Sequence, residues 1–154
     1  MRWSVPWWVD APSVLGFYGF FSAAFDKRLW RTSVIIPLLG IPNLNGTYKG
    51  YISSSFDKHH SKYQATLEIR VTWKEISVIM TTETSSGQST TASLNTETGV
   101  LSYEYFNEPK PGTASTMHCH RGTGALKITS DGHLDGEYYR GRDRQTYDLL
   151  TTIS

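Results

Sequence analysis

Cysteine is almost absent from this sequence: Cys119 is the one cysteine among 154 residues. A single thiol cannot form a disulfide within the chain, so the fold needs no oxidising compartment. A secretory pattern is also absent, because the first ten residues place Trp7 and Trp8 beside Asp10 and contain no small-residue cleavage site. We therefore expect a cytoplasmic protein.

Neither sign of charge is in clear excess, since the formal net charge is +1. Such a chain has no long-range attraction for DNA or RNA, although a compact basic cluster can still hold one phosphate. Apolar residues make up 38% of the sequence and aromatic residues 13%, with nine Tyr and five Trp. This composition favours strands that bury a few large rings over Leu-rich helices.

Catalytic motifs are missing as well. The sequence has no Gly-x-Ser-x-Gly elbow, no phosphate-binding loop and no Gly-x-Gly-x-x-Gly fingerprint. His59-His60 and His118-Cys119-His120 look like metal ligands, but in a strand His118 and His120 face away from Cys119. The same geometry disfavours a cysteine–histidine dyad. We interpret them as strand histidines beside a buried thiol, and predict a non-enzymatic protein with no metal and no cofactor.

Residues 1–41 form an aromatic segment unlike the rest of the chain. Asp10-Ala-Pro12 predicts a cap and a helix start, followed by a helix over 13–30 with basic residues near its end. The uncharged run 11–25 is shorter than the roughly 20 residues that span a bilayer, and the apolar stretch 33–41 is shorter still. Two transmembrane helices are therefore not expected. We favour a helix packed on the remaining domain or on a partner chain, with a membrane-surface helix and a spanning helix as alternatives.

After Pro42 the apolar pattern alternates with period two, which is typical of strands. The pattern predicts turns at Asn45-Gly46, at Ser85-Ser-Gly87 and at Asp131-Gly132, and a loop over 107–112. Gly122 and Gly124 predict a kink inside one long strand. The predicted strands are 47–55, 62–73, 76–84, 88–94, 100–106, 114–129, 134–140 and 145–152.

Short connections force neighbouring strands to be antiparallel, and an even-numbered meander can close on itself. The sequence therefore predicts a mainly β protein. Residues 42–154 are expected to form an eight-stranded, up-and-down, lipocalin-like β-barrel that binds a ligand, behind the helical segment 1–41. An open sandwich is the alternative. Eight strands enclose room for side chains or for one small ligand.

Polar residues at two predicted strand ends indicate the chemistry of such a ligand. Arg140, Arg142 and Arg144 surround one glycine turn after a strand, and arginine matches phosphate oxygens with a planar fork. Tyr103, Tyr105 and Asn107 end another strand and offer rings and an amide. Taken one by one, these arginines can equally be solvated hairpin charges and the tyrosines core residues. Together they favour an anion that carries rings.

The chain also resembles a known family along nearly its whole length. The N-terminal stretch Trp8-Val-Asp-Ala-Pro-Ser-Val-Leu-Gly-Phe-Tyr-Gly-Phe resembles the segment that precedes the barrel in CD-NTase-associated bacterial effectors. The barrel shows the same likeness in Pro42-Asn-Leu-Asn-Gly46-Thr-Tyr-Lys-Gly50, Tyr103-x-Tyr105-x-Asn107-Glu-Pro109, Met117-His118 and Gly136-x-Tyr138 leading to Arg142-x-Arg144-x-Thr146. The family is the SMODS-associated, β-strand-rich effectors of CBASS antiphage defence.

What the resemblance implies is a receptor barrel for a cyclic dinucleotide made by a cognate nucleotidyltransferase, in an effector that self-associates when the ligand binds. Well-known members then damage the inner membrane through two transmembrane helices, which this sequence does not show. The N-terminal segment is expected to replace them by self-association or by contact with the inner membrane surface. The alternative is a lipocalin-like barrel that carries another small ligand, with a membrane-surface helix.

The expected contacts to the ligand follow from residue chemistry and strand-end position. Arginines would hold phosphate, tyrosines would stack on bases, and amides or hydroxyls would contact base edges or phosphate oxygens. The predicted ligand-binding residues are Arg142, Arg144, Tyr105, Asn107, Tyr48, Thr82 and Thr146. His118 and Trp73 are secondary candidates.

Overall fold

The predicted barrel is confirmed by the computed structural model, in which the described residues form eight antiparallel strands closed into a barrel in chain order. The model describes the backbone of residues 7–54, 58, 60–112, 118–141 and 147–153, and the side chains of the same ranges apart from 7–12 and 147–153. The strands are β1 (Gly46–Ser54), β2 (Lys62–Val71), β3 (Ile76–Thr82), β4 (Ser85–Asn95), β5 (Val100–Pro109), β6 (His120–Ile128), β7 (Leu134–Arg140) and β8 (Tyr147–Ile153).

Alternation of side chains sets which face of each strand is inside. In β2, Ala65, Leu67 and Ile69 are buried while the residues between them are exposed or half-buried. The same period runs through β5, where Leu101 is fully buried and Ser102 is exposed. Because strand side chains alternate between faces, one sequence pattern fixes both the core and the outer surface.

The barrel closes where β1 pairs with β8. The register runs from Lys49 opposite Ile153 to Ser54 opposite Asp148. Closure gives the backbone groups of β1 a second partner strand and removes a free sheet edge.

Strand boundaries around β4 and β5 differ from the prediction. Ser85 and Gly87 belong to β4 rather than to a turn, and β5 extends through Asn107 to Pro109 rather than ending at a loop. Ser85 and Asn107 are both buried, so tertiary packing overrides their local turn preference. The hydroxyl of Thr82 accepts a hydrogen bond from the backbone N–H of Ser85 at 3.1 Å, which makes the connection between β3 and β4 shorter than expected.

No bulge lies at Gly122 or Gly124, where the sequence predicts a kink. Both glycines pair without a register shift to β5 and to β7. A register shift lies instead in the β4–β5 ladder, between Ser89 and Thr91. The glycines leave room for tyrosine rings from β5, described below, which is a different use of a residue without Cβ.

The strand predicted over 114–129 begins only at His120. His118 and Cys119 precede it and are exposed, so the expectation of a buried thiol flanked by two strand histidines is also wrong. Residues 113–117 lie outside the described part of the chain.

The chain divides into two compact units: residues 1–41 with 72–74, and residues 42–71 with 75–154. The first unit contains α1 (Trp7–Lys27), a 3-10 helix (Leu29–Arg31) and α2 (Ile35–Leu39). Helix α1 begins before Asp10, so the predicted start is wrong: Pro12 lacks the N–H that would bond to the carbonyl of Trp8, yet the helix continues through it. It ends where Arg28 leaves helical geometry, at φ −138° and ψ −46°.

Within the first unit, the end of α1 contacts residues 72–74. The backbone carbonyl of Asp26 accepts from the N–H of Trp73 at 3.1 Å, and its carboxylate accepts from the N–H of Lys74 at 2.9 Å. The rings of Phe25 and Trp73 meet edge to face with centroids 5.2 Å apart. Three different contacts therefore fix this helix end.

Helix α1 exposes large apolar side chains near its middle. Six of them between positions 14 and 21 are more than half exposed, and whether they pack on a partner chain stays a prediction. They are Val14, Leu15, Phe17, Tyr18, Phe20 and Phe21. None of the described helices combines the length and the apolar character needed to cross a membrane.

Candidate functional site

The interior of the barrel is polar at one end. This polar end lies where β1, β3, β5 and β7 finish and where β4 and β6 begin, and its inward-facing positions follow the burial alternation of each strand. All three polar side chains that are fully buried in the described part of the chain lie there. The members of the polar end are Ser54, Thr82, Ser85, Asn107, His120 and Arg140.

The opposite end of the interior is apolar. Leu101, Leu126 and Leu134 are each 0% exposed, and Ile69 and Val78 are each 1% exposed. These side chains close the barrel with a packed core, which is what an eight-stranded barrel allows. A ligand inside the barrel would therefore be reached from the polar end.

Two tyrosines of β5 lie across glycines of β6. An added Cβ at Gly124 would come within 2.5 Å of the Tyr103 ring, and one at Gly122 would come within 2.6 Å of the Tyr105 ring. The hydroxyl of Tyr105 donates to the backbone carbonyl of Tyr139 at 3.3 Å. Small residues at two positions of β6 thus allow two large rings to lie flat inside the barrel.

Rings surround the inner part of the polar end. The ring of Tyr105 lies edge-on to Tyr138 with centroids 6.0 Å apart, and edge-on to His120 with centroids 6.1 Å apart. Edge-to-face contacts of this kind stabilise aromatic pairs beyond the area they bury. The cluster presents ring edges and faces to any molecule that enters.

Arg140 brings a positive charge into this aromatic cluster. It is half-buried at the end of β7, and its guanidinium carbon lies 5.6 Å from the centre of the Tyr138 ring. Its Nη2 donates to the hydroxyl of Tyr138 at 3.0 Å. A guanidinium held by ring and hydroxyl keeps a fixed direction for its other N–H groups, which suits recognition of phosphate.

A lysine stands at the rim of the same end. The ammonium of Lys110 donates to the backbone carbonyl of Thr82, and the backbone N–H of Lys110 donates to the carbonyl of Thr84 at 2.9 Å. The Thr82 hydroxyl also contacts the Ser85 hydroxyl at 3.1 Å. The short connection between β3 and β4 is thereby tied to the residue that follows β5.

Charge is distributed unevenly between the two ends of the barrel unit. Among the described side chains, five cations and two carboxylates lie at or near the polar end, against two cations and five carboxylates at the apolar end. Three histidines add to the basic end. The cations there are Lys58, Lys62, Lys110, Arg121 and Arg140, and the carboxylates are Glu83 and Glu108. This asymmetry favours the approach of an anion to the polar end.

The structure brings three of the predicted ligand-binding residues together at the polar end: Tyr105, Asn107 and Thr82. Tyr48 lies elsewhere, six residues from Ser54 and so about 20 Å along β1. Its hydroxyl donates to the carbonyl of Leu44 at 3.2 Å, and burial raises the pKa of this phenol. The predicted residues Arg142, Arg144 and Thr146 lie outside the described residues.

The secondary candidates are not part of the polar interior. His118 is exposed and its carbonyl lies 3.2 Å from Nδ1 of His120, while Trp73 belongs to the other unit. The described side chains include no group of three or more His, Cys, Asp or Glu that could hold a metal ion.

The predicted ligand-binding set leaves out Arg140, Tyr103 and His120, which the structure places inside the barrel. The sequence of β7 could have indicated Arg140. Arg140 lies an even number of residues after the buried Leu134 and Tyr138, so its side chain must face inward as theirs do. Strand-end position alone favours the arginines beyond Gly141.

Fold and site together define a closed, up-and-down β-barrel whose polar end combines rings, hydroxyls and positive charge. Residues 39–152 match the family described as the Cap15 cyclic dinucleotide receptor domain, and the chain belongs to that family. It is also 31% identical over 142 residues to "CD-NTase-associated protein 15" of Yersinia aleksiciae, a match that covers 88% of this chain and 66% of that protein.

These matches confirm the family resemblance found in the sequence. The chain thus spans about two thirds of the length of the curated relative. The matching family is described as a receptor domain and not as an enzyme.

Proposed function

We propose that this chain binds a cyclic dinucleotide at the polar end of its barrel and acts as a receptor and effector in bacterial CBASS antiphage signalling. The observation that carries the proposal is membership of a family described as a cyclic dinucleotide receptor domain. The ligand would come from a cognate nucleotidyltransferase, in keeping with the name of the Yersinia relative.

The chemistry of the polar end suits such a ligand. A cyclic dinucleotide carries two phosphodiester charges and two aromatic bases, so its receptor needs cations, rings and neutral hydrogen-bonding groups. Arg140 and Lys110 supply charge near the rim, and Tyr105 and Tyr138 supply rings. Asn107, which is 5% exposed, supplies a buried amide that can pair with a base edge.

Arg140 is the phosphate contact that we add to the predicted set. Its guanidinium is already oriented by Tyr138, so less conformational freedom is lost when an anion binds. Arg142, Arg144 and Thr146 remain proposed contacts from their chemistry. The barrel would hold its ligand without transforming it, because binding of this kind needs no nucleophile or general base.

A carrier of an apolar ligand is the alternative from the same fold. The buried polar residues Ser54, Ser85 and Asn107 argue against it, because they line this end of the interior with polar groups where an apolar ligand would need apolar surface.

The exposed helix α1 is proposed as the output element. Its six exposed apolar side chains together could contribute about 6–12 kcal/mol if buried, at roughly 1–2 kcal/mol each for the part still exposed. That supports an apolar partner, for which we propose other copies of α1 in a homo-oligomer, with contact to the inner membrane surface as the further possibility to be tested.

Calorimetric titration with a panel of cyclic dinucleotides tests the receptor function. We expect at least one member to bind, and Arg140→Gln to weaken its binding by about tenfold or more, as for a charge-assisted hydrogen bond. Arg121→Gln is the matched control, because Arg121 lies at the same end but is exposed. Failure of every member to bind would refute the receptor function, and equal loss in both variants would refute the role of Arg140.

Flotation with liposomes of inner-membrane composition tests the output element, together with sedimentation of the ligand-bound chain. Larger assemblies with no flotation support self-association. Flotation that Phe17→Ser and Phe20→Ser abolish would assign α1 to the membrane surface instead.

A further inference from the structure

The hydroxyl of Tyr103 is buried inside the barrel without an evident structural role. The Tyr103 side chain is 5% exposed, and its hydroxyl has no hydrogen-bond partner among the residues that the structure describes. A buried hydroxyl without a partner destabilises the folded state, and phenylalanine would fill almost the same volume. Packing therefore explains the ring at this position but not its oxygen.

Tyr105, two residues further along β5, has a hydroxyl with a structural role. Both rings lie over a glycine of β6, but the Tyr105 hydroxyl reaches the carbonyl of Tyr139 at 3.3 Å. The Tyr103 hydroxyl lies 2.7 Å from the place where a Cβ of Gly124 would stand. Gly124 is in phase with the buried Leu126, so this oxygen lies on the inner face of the sheet.

Tyr103 lies at the boundary between the two ends of the interior. Along β5 it follows Leu101, which is fully buried in the apolar end, and precedes Tyr105 and Asn107 of the polar end. Arg140 and Lys110 both lie closer to the connections that rim the barrel. A group that reaches Tyr103 must therefore pass the cations and approach leucine side chains.

The phosphates and the bases of a cyclic dinucleotide are expected to lie at different depths in the barrel. A phosphate placed beside Leu101 and Leu126 would lose its hydration without gaining a cation there, which is strongly unfavourable. A base is flat and uncharged, and its edge carries carbonyl or ring-nitrogen acceptors. Only the base suits the position of Tyr103.

We propose that the ligand enters base first: one base passes between the rings of the polar end and accepts a hydrogen bond from the Tyr103 hydroxyl, while the phosphates stay at the rim beside Arg140. This inference rests on the proposed receptor function and assigns the orientation of the ligand. Tyr103 becomes the innermost base-reading residue.

The protonation state of Tyr103 agrees with that role. Burial raises the pKa of this phenol to about 12, so the hydroxyl keeps its proton at physiological pH. A protonated phenol can donate to a base carbonyl throughout the range in which the protein works.

Tyr103→Phe tests the inference, because it removes the oxygen and keeps the ring. The panel member that wild type binds most tightly is titrated into wild type, Tyr103→Phe and Tyr51→Phe. Tyr51 is the matched control, since it faces outward on β1. We expect Tyr103→Phe to bind about tenfold more weakly, as for one hydrogen bond to a previously unsatisfied hydroxyl, and Tyr51→Phe to bind like wild type.

Two further readouts separate base reading from a structural or phosphate-binding role. The ligand-free stability of Tyr103→Phe should equal or exceed that of wild type, because an unsatisfied hydroxyl is removed. The salt dependence of its binding should match wild type, whereas that of Arg140→Gln should be shallower, because salt screens the contacts to phosphate.

The possible results of these measurements distinguish the base-first orientation from the receptor function. Wild-type affinity in Tyr103→Phe overturns the base-first orientation and leaves the receptor function standing. A loss of ligand-free stability also overturns it, since the hydroxyl would then have a partner in the folded chain. No binding by wild type overturns both proposals together.

Discussion

Gly124 gives the sharpest test of how the barrel interior is built. In a strand, replacing glycine by alanine would by itself stabilise the protein by roughly 0.5–1 kcal/mol through lower chain entropy. At Gly124 the new Cβ would stand 2.5 Å from Cζ of Tyr103 and 2.6 Å from Cε1, closer than carbon atoms pack. Overpacking of this kind costs about 1–3 kcal/mol. The steric effect is the larger one, so we expect Gly124→Ala to lose about 1–2 kcal/mol.

Urea denaturation measures the change, and a double-mutant cycle identifies its cause. Gly46→Ala is the control, because its new Cβ would stand 3.7 Å from the Tyr48 ring, an ordinary contact. If the Tyr103 ring is the obstacle, Gly124→Ala should be better tolerated in a Tyr103→Leu background by about 1 kcal/mol or more. A Gly124→Ala protein as stable as wild type, or a cycle with no coupling, would refute the steric account.

Two further predictions concern single hydroxyl groups. Because burial raises the pKa of Tyr103 from 10.0 to about 12, ionisation of this phenol favours the unfolded chain: it costs the fold nothing below pH 10 and lowers the stability progressively as pH rises from 10 toward 12. Alkaline urea titrations should show wild type losing up to about 3 kcal/mol relative to Tyr103→Phe across that window, and parallel curves would contradict the shift. Thr82→Val should cost about 1–2 kcal/mol by leaving the buried Ser85 N–H without its acceptor, while Thr82→Ser stays near wild type; equal stabilities would show that this bond is dispensable.

The fold was predictable because its main signal is local. The alternation in β2 is visible in Leu67, Ile69 and Val71 without any knowledge of neighbouring strands. Short connections then leave an antiparallel meander as the simplest topology. Strand ends were less predictable, since the local sequence of Ser85 and Gly87 favours a turn, and only the pairing of Ser85 with Pro109 and of Gly87 with Asn107 shows that they belong to a strand.

The site was only partly predictable because it depends on pairs of strands. Nothing near Gly122 or Gly124 in sequence indicates that the rings of Tyr105 and Tyr103 lie over them, so the glycines suggested a bend. Strand-end position grouped Tyr105 with Asn107, and both lie on the inner face toward the polar end. Tyr48 lies far from them along the barrel, because a strand has two ends and the sequence pattern alone does not distinguish them.

Strand order in the barrel has a consequence for how the chain folds. Among the described ladders, seven join strands that follow each other in sequence, and the eighth joins β1 to β8. That last ladder brings Ser54 to Asp148 across nearly the whole domain, so its loop-closure entropy is the largest. We expect the hairpins to form first and the β1–β8 seam to close last, as the slow step. Until this seam closes, β1 and β8 each have an unpaired edge. When many copies of the chain are synthesised close together, these edges would favour strand pairing between different molecules.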